Sequence, residues 1–206
     1  MLRSMLRTSC CAALLLVSGI AIGQTEFSAD VVNHERGNDK ATKVYFGKDK
    51  MRFDGAGDDR AGSGSFIVDL KSESYMILMD KQRMYMEMPA KMMESRGVFH
   101  FFQSGDVENA CTEWLKQAKN TGGTCHKVGS DTVNGRNTVK YEGTDSSGAK
   151  STVWLDSKLR FPVKWEEKNG GGEMRNIQEG PQPASLFEVP AGFTKMDMGK
   201  MMQQHQ

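Results

Sequence analysis

Period-two alternation of apolar and polar residues, repeated in short runs along most of the chain, commits this sequence to antiparallel sheet. In EFSADVV, Phe27, Ala29 and Val31 share one face while Glu26, Ser28 and Asp30 take the other. Val44 and Phe46 in KVYF repeat the pattern, as do Met51 and Phe53 in KMRFD, Phe66, Val68 and Leu70 in SFIVDL, and Met84, Met86 and Met88 in RMYMEM. Successive short alternating runs mark strands with one buried face. GKDK, DGAGDDRAGSG, DLKSES and DKQ separate them and supply turn residues. The glycine-rich DGAGDDRAGSG has neither phosphate-loop spacing nor a Lys-Ser/Thr ending, which makes it a hairpin loop.

The middle of the chain changes period. Pro89 suits the first turn of a short helix, PAKMMES, ending near Gly97. After VFHFFQ, Asp106 can cap a second helix, DVENACTEWLKQAKN. There Val107, Ala110, Cys111, Trp114, Leu115 and Ala118 form one apolar stripe at helical spacing. Lys116 and Lys119 suit the negative helix end, and Gly122-Gly123 stops it.

Strands then resume. Asn134-Gly135 is a strong hairpin signal, followed by Val139 and Tyr141 on one face. AKSTVWLD, LRFPVKWEEK and GEMRNIQEG complete a meander in which Phe161, Val163 and Trp165 alternate with polar neighbours, and Pro162 points to an edge or an irregularity. The order is therefore about six strands, two helices and about five strands. A sheet whose strands each carry one apolar face must curl or be covered, and the two helices are the cover this reading supplies.

Arg3 and Arg7 precede an apolar run, Cys11–Ile22, and Ala21-Ile22-Gly23 offers small residues for cleavage. That run is short of the roughly 20 apolar residues that span a bilayer. Residues 1–23 thus read as a secretory signal peptide, placing the mature protein in the periplasm or outside the cell with no transmembrane segment. The 27 basic residues less Arg3 and Arg7 leave 25 against 26 acidic ones, a balance with no electrostatic footprint for nucleic acid. The remaining residues suffice for one domain over 24–195, followed by a methionine-rich tail, 196–206, expected to be disordered as chain ends commonly are. Of the cysteines only Cys111 and Cys125 lie beyond the leader. In an oxidising compartment they are expected to form a disulfide that closes a loop of about 15 residues, contributing on the order of 3 kcal/mol.

The closing segments resemble a known family. They are WLDSKLRFPVKW from Trp154 to Trp165, NIQEG from Asn176, and SLFEVPAGF from Ser185 to Phe193. Together with the order of elements they are similar to the LolA/LolB lipoprotein-carrier-like superfamily and to secreted relatives of the DUF4412 type. The resemblance implies a mainly β (α+β) fold, a curved antiparallel half-barrel of about 11 strands with two helices packed on the concave face. It also implies a non-enzymatic exported protein that holds a lipid, acyl chain or other apolar molecule. Arg52 lies on an early strand but on its polar face, so the arginine that helps set the closed state of the carriers has no counterpart to carry over. What carries over is a cavity, not a transport cycle.

Phe27, Phe53, Met84, Met86, Val139, Phe161, Val163 and Trp165 are the candidate cavity wall, with methionine suited to ligands of varied shape. Alternation alone fits a filled core equally well. Phe99, Phe101 and Phe102 around His100, with Trp114, are candidate lid residues. Thioethers favour Cu(I), so Met196, Met198, Met201, Met202 and His205 form an alternative copper site. A further alternative is an envelope interaction module whose sheet edge accepts a partner strand. No cofactor is expected, and the oligomeric state is open. The histidines His34, His100, His126 and His205 are scattered, and Gly62-Ser63-Gly64-Ser65 is no nucleophile elbow. Asp58-Asp59 and Glu166-Glu167 suit solvated charge, so the expectation is a protein without catalysis.

Overall fold

The computed structural model describes residues 25–35, 38–55, 64–89, 105–117 and 122–196. The first half is a meander of β1 (Phe27–Glu35), β2 (Asn38–Phe46), β3 (Lys50–Asp54), β4 (Gly64–Asp69), β5 (Ser74–Met79) and β6 (Met84–Pro89). Helix α1 (Ala110–Gln117) leads into a second meander of β7 (Thr124–Val133), β8 (Arg136–Thr144), β9 (Lys150–Asp156), β10 (Pro162–Glu167) and β11 (Gly170–Glu179). A 3₁₀ turn, Ala184–Phe187, and the two-residue strand β12 (Thr194–Lys195) follow. The described strands form one 12-stranded sheet in the order β12-β6-β5-β4-β3-β2-β1-β11-β10-β9-β8-β7. β12 runs parallel to β6, and β1 joins the two meanders by pairing antiparallel with β11. The sheet is open, with β7 and β12 at its ends.

Its curvature can be read from the aromatic residues. Phe46 of β2 lies three strand positions from β10, about 14 Å on a flat sheet. Yet its ring centroid is 5.4 Å from that of Phe161, which immediately precedes β10. Phe27 of β1 stacks on Phe46 at 5.3 Å and meets Phe161 edge-on at 5.8 Å. The concave face closes on this triad, and burying each ring contributes about 1.5–3 kcal/mol. Two local devices shape the half around β11. Asn134 and Gly135 both take positive φ, the mirror-image hairpin turn expected of that pair. Asn176, also at positive φ, sits in a bulge against β1 and donates through Nδ2 to Asp30 Oδ2 at 2.7 Å.

The convex face is covered too, which one apolar face per strand did not anticipate. Ile67 and Leu78 point away from the concavity, opposite Arg52 and Tyr85, and are fully buried. Their cover is the closing segment: Phe187 packs on both, with Leu186, Val189 and Phe193 around it. Arg52 fastens that segment, donating to Leu186 O at 2.9 Å, to Ser65 Oγ at 2.9 Å and to Asp54 Oδ1 at 2.6 Å. LFEVPAGF is therefore an outer strap, and Arg52 belongs to its anchorage.

The helical expectations change in detail. Pro89 ends β6 instead of opening a helix, and the rest of the first expected helix lies outside the described residues. The second helix begins at Ala110, not directly after Asp106, because the Asp106 carboxylate accepts from Glu108 N and Asn109 Nδ2 and holds a turn there. Pro162 marks an irregularity, with the β9–β10 register shifting between Pro162 and Lys164.

Candidate functional site

Each wall of the concavity comes from the alternation of one strand. β1 contributes Phe27 and Val31, β2 Val44 and Phe46, β3 Met51 and Phe53, and β4 Phe66. From the other meander come Val153 of β9, Trp165 of β10 and Met174 of β11, with Phe161 beside them. These side chains enclose a cavity of about 480 Å³. β4 and β9 stand six positions apart in the sheet, roughly 29 Å when flat, so the strong curl is what brings Phe66 and Val153 to one space. Asn33, Thr42, Ser151 and Glu167 add polar groups to the lining. Glu167 faces Ser151 across the β9–β10 pair, which groups them on one side. An apolar wall with a few polar groups suits a hydrophobic ligand with one wet end.

Helix α1 occupies the β8–β9 end of the same face. Ala110 and Val107 pack on Val139, Tyr141 and Leu155. Three ties hold its first turn. The Tyr141 hydroxyl donates to Val107 O at 2.5 Å and accepts from Ala110 N at 3.4 Å, and burial pushes that phenol above its ordinary pKa. Cys111 and Cys125 are joined by a disulfide with Cα atoms 5.5 Å apart. Glu108 pairs with Lys127 of β7.

Among the expected wall residues, Phe27, Phe53, Phe161 and Trp165 come together on the cavity. Val163 is buried beside it in the same cluster, and Val139 lies beneath α1. Met84 and Met86 are half-buried on β6, beyond β5 from the lining residue Phe66. Trp114 packs edge-on against Tyr141 at 5.4 Å. Phe99, Phe101 and Phe102 lie outside the described residues, as do Met198, Met201, Met202 and His205 of the tail. Among the described residues no three His, Cys, Asp or Glu side chains gather as a metal site. No described helix is long and apolar enough to cross a membrane. Val31, Val44, Phe46, Met51, Phe66, Val153 and Met174 escaped the sequence reading as wall residues. The alternation of the first five was visible, but the β1–β11 pairing that aims all seven at one space was not.

A family described as a domain of unknown function, DUF4412, matches residues 31–193. The chain belongs to that family. No curated protein sequence matches this DUF4412 chain significantly. Its fold is similar to that of an uncharacterized conserved protein from Thermus thermophilus, with a TM-score of 0.53 and 10% identity over 85% of this chain and 91% of the other. MucB, in the Pseudomonas aeruginosa MucA/MucB complex, matches with a TM-score of 0.41 and 14% identity, over 82% of this chain and 57% of that one. A LolA superfamily protein from Nitrosomonas europaea matches with a TM-score of 0.31 and 7% identity, over 82% and 91%. The Thermus likeness supports the architecture of the DUF4412 chain, and none of the three carries a function to it.

Proposed function

We propose that this DUF4412 protein is an exported, non-enzymatic binding protein that holds an apolar molecule, a lipid or acyl chain, on the concave face of its sheet. The observation behind the proposal is the cavity of about 480 Å³ walled by Phe27, Phe46, Phe53, Phe66, Phe161 and Trp165. That volume falls within the usual range of about 300–1,000 Å³ for small-molecule sites. Aromatic and methionine side chains offer a hydrocarbon large contact area, and removing apolar surface from water supplies the drive. Export is supported by the leader-like order of residues 1–23 and by the Cys111–Cys125 disulfide, a bond that persists in oxidising compartments. A binding role is favoured over catalysis because, among the described residues, the lining is mostly apolar, with Asn33, Thr42, Ser151 and Glu167 as polar groups at its margin and no histidine or cysteine beside them.

Native mass spectrometry of protein purified from its source tests the reading. A bound lipid-sized adduct is expected, released by organic extraction and lost in a variant with Phe53 and Phe66 both changed to Asp. An adduct-free protein that also takes up no fatty acid or lysolipid on incubation would refute it.

A further inference from the structure

Two methionine-rich stretches far apart in sequence meet at the β12 end of the sheet. On β6, Met84, Met86 and Met88 alternate onto the concave face, and Met79 of β5 stands directly opposite Met84. β12 adds to β6 in parallel, with Thr194 beside Met84 and Lys195 beside Tyr85. That register is held by Thr194 N donating to Arg83 O at 2.9 Å and Met196 N donating to Tyr85 O at 2.8 Å. Continued by one residue, it sets Met196 beside Met86. The face is fixed independently, because Lys195 pairs with Glu87, and both belong to the convex side. Met196 and Met86 therefore share the concave side. Both are half-buried, as are Met79 and Met84.

We infer that Met84, Met86 and Met196, with Met79 as a fourth donor, form a binding site for a soft monovalent cation, Cu(I) or its analogue Ag(I). Neighbouring strands lie about 4.8 Å apart and alternate residues of one strand about 6.6–6.8 Å apart. Three thioethers on three-bond side chains can converge on one point across such distances. Thioether sulfur selects soft ions. Glu87, the carboxylate of β6, is turned to the other face, so β6 supplies the site no negative charge to offset the desolvation of a divalent ion. The site also gives the tail a structural origin. Met196 is its first methionine and is fixed to β6, while the rest of the tail follows directly behind it.

The test uses the full mature chain labelled with ¹³C at its methionine methyl groups and titrated with Ag(I), alongside Cu(I) competition against a colorimetric chelator. The methyl signals of Met84, Met86 and Met196 should shift together and saturate at one equivalent. Met84→Leu with Met86→Leu should weaken Cu(I) binding roughly tenfold or more, since leucine keeps the volume but removes the sulfur. Met196→Leu lies outside the core and should weaken it alone, which keeps the test valid if the double variant is unstable. Shifts confined to Met198, Met201 and Met202 would overturn the inference in favour of the tail. An absence of methionine shifts would overturn it outright.

Discussion

The indole of Trp165 lies over Gly172, its cross-strand neighbour, so closely that a Cβ on Gly172 would come within 2.4 Å of the ring carbon Cζ2. The same Cβ would stand 2.8 Å from Val32 O, so the backbone of β1 leaves no room on the other side. Glycine at this position lets the largest wall residue lie flat against the sheet and leaves the cavity open above it. Gly172→Ala is expected to destabilise the fold by about 1–3 kcal/mol, as overpacking does, and to tilt Trp165 into the cavity. Urea unfolding and Trp165 emission check this. An unchanged midpoint with unchanged emission would show that the ring is not held by this contact.

The anchorage of α1 predicts coupled losses. Removing the disulfide by Cys111→Ala with Cys125→Ala should cost on the order of 3 kcal/mol for its loop. Tyr141→Phe strips the hydroxyl from Val107 O and leaves a buried carbonyl unpartnered, a loss of about 1–3 kcal/mol. Ala110 and Cys111 are consecutive, so the two changes act on one turn. A double-mutant cycle followed by urea unfolding should therefore show a coupling energy above about 0.5 kcal/mol. Strict additivity would mean that the ties act independently.

Glu179 supplies a pH dependence. Its hydrogen bond with Lys158, then that with Arg136, holds its carboxyl below the ordinary glutamate range. Because the folded-state value is the lower one, the stabilisation is complete above the unfolded-chain value of about 4.3. It is lost as pH falls through the folded-state value. Glu179→Gln should accordingly flatten the fall of unfolding free energy on the acid side of about pH 4.3. An identical acid slope in the variant would remove this group from the account.

Much of the fold was legible because one face of most strands obeys period two: Phe27, Ala29 and Val31, Val44 and Phe46, and Met51 and Phe53 all turn to the concavity as their spacing required. The hairpin at Asn134-Gly135 and the Cys111–Cys125 pair were also local signals. The outer strap was less legible. Ile67 and Leu78 interrupt the polar side of β4 and β5, a sign that both faces are covered, but their cover arrives from Phe187, more than a hundred residues later. The cavity wall suffered from the same distance. Trp165 and Phe53 could each be assigned an apolar face, whereas their shared space depends on β1 pairing with β11, which no local pattern encodes. Methionine spacing placed Met84 and Met86 on one face but gave no hint that Met196 would stand beside them.

The central claim, an apolar ligand held against Trp165, is tested most directly by fluorescence of a single-tryptophan variant, Trp114→Phe with Trp154→Phe. Titration with a long-chain fatty acid or lysolipid should shift Trp165 emission to the blue and saturate at one ligand per chain. Phe53→Asp should suppress that response, because a carboxylate facing an apolar space is costly to desolvate. Trp165 emission that stays constant across the titration, in a protein shown by circular dichroism to be folded, would contradict the account.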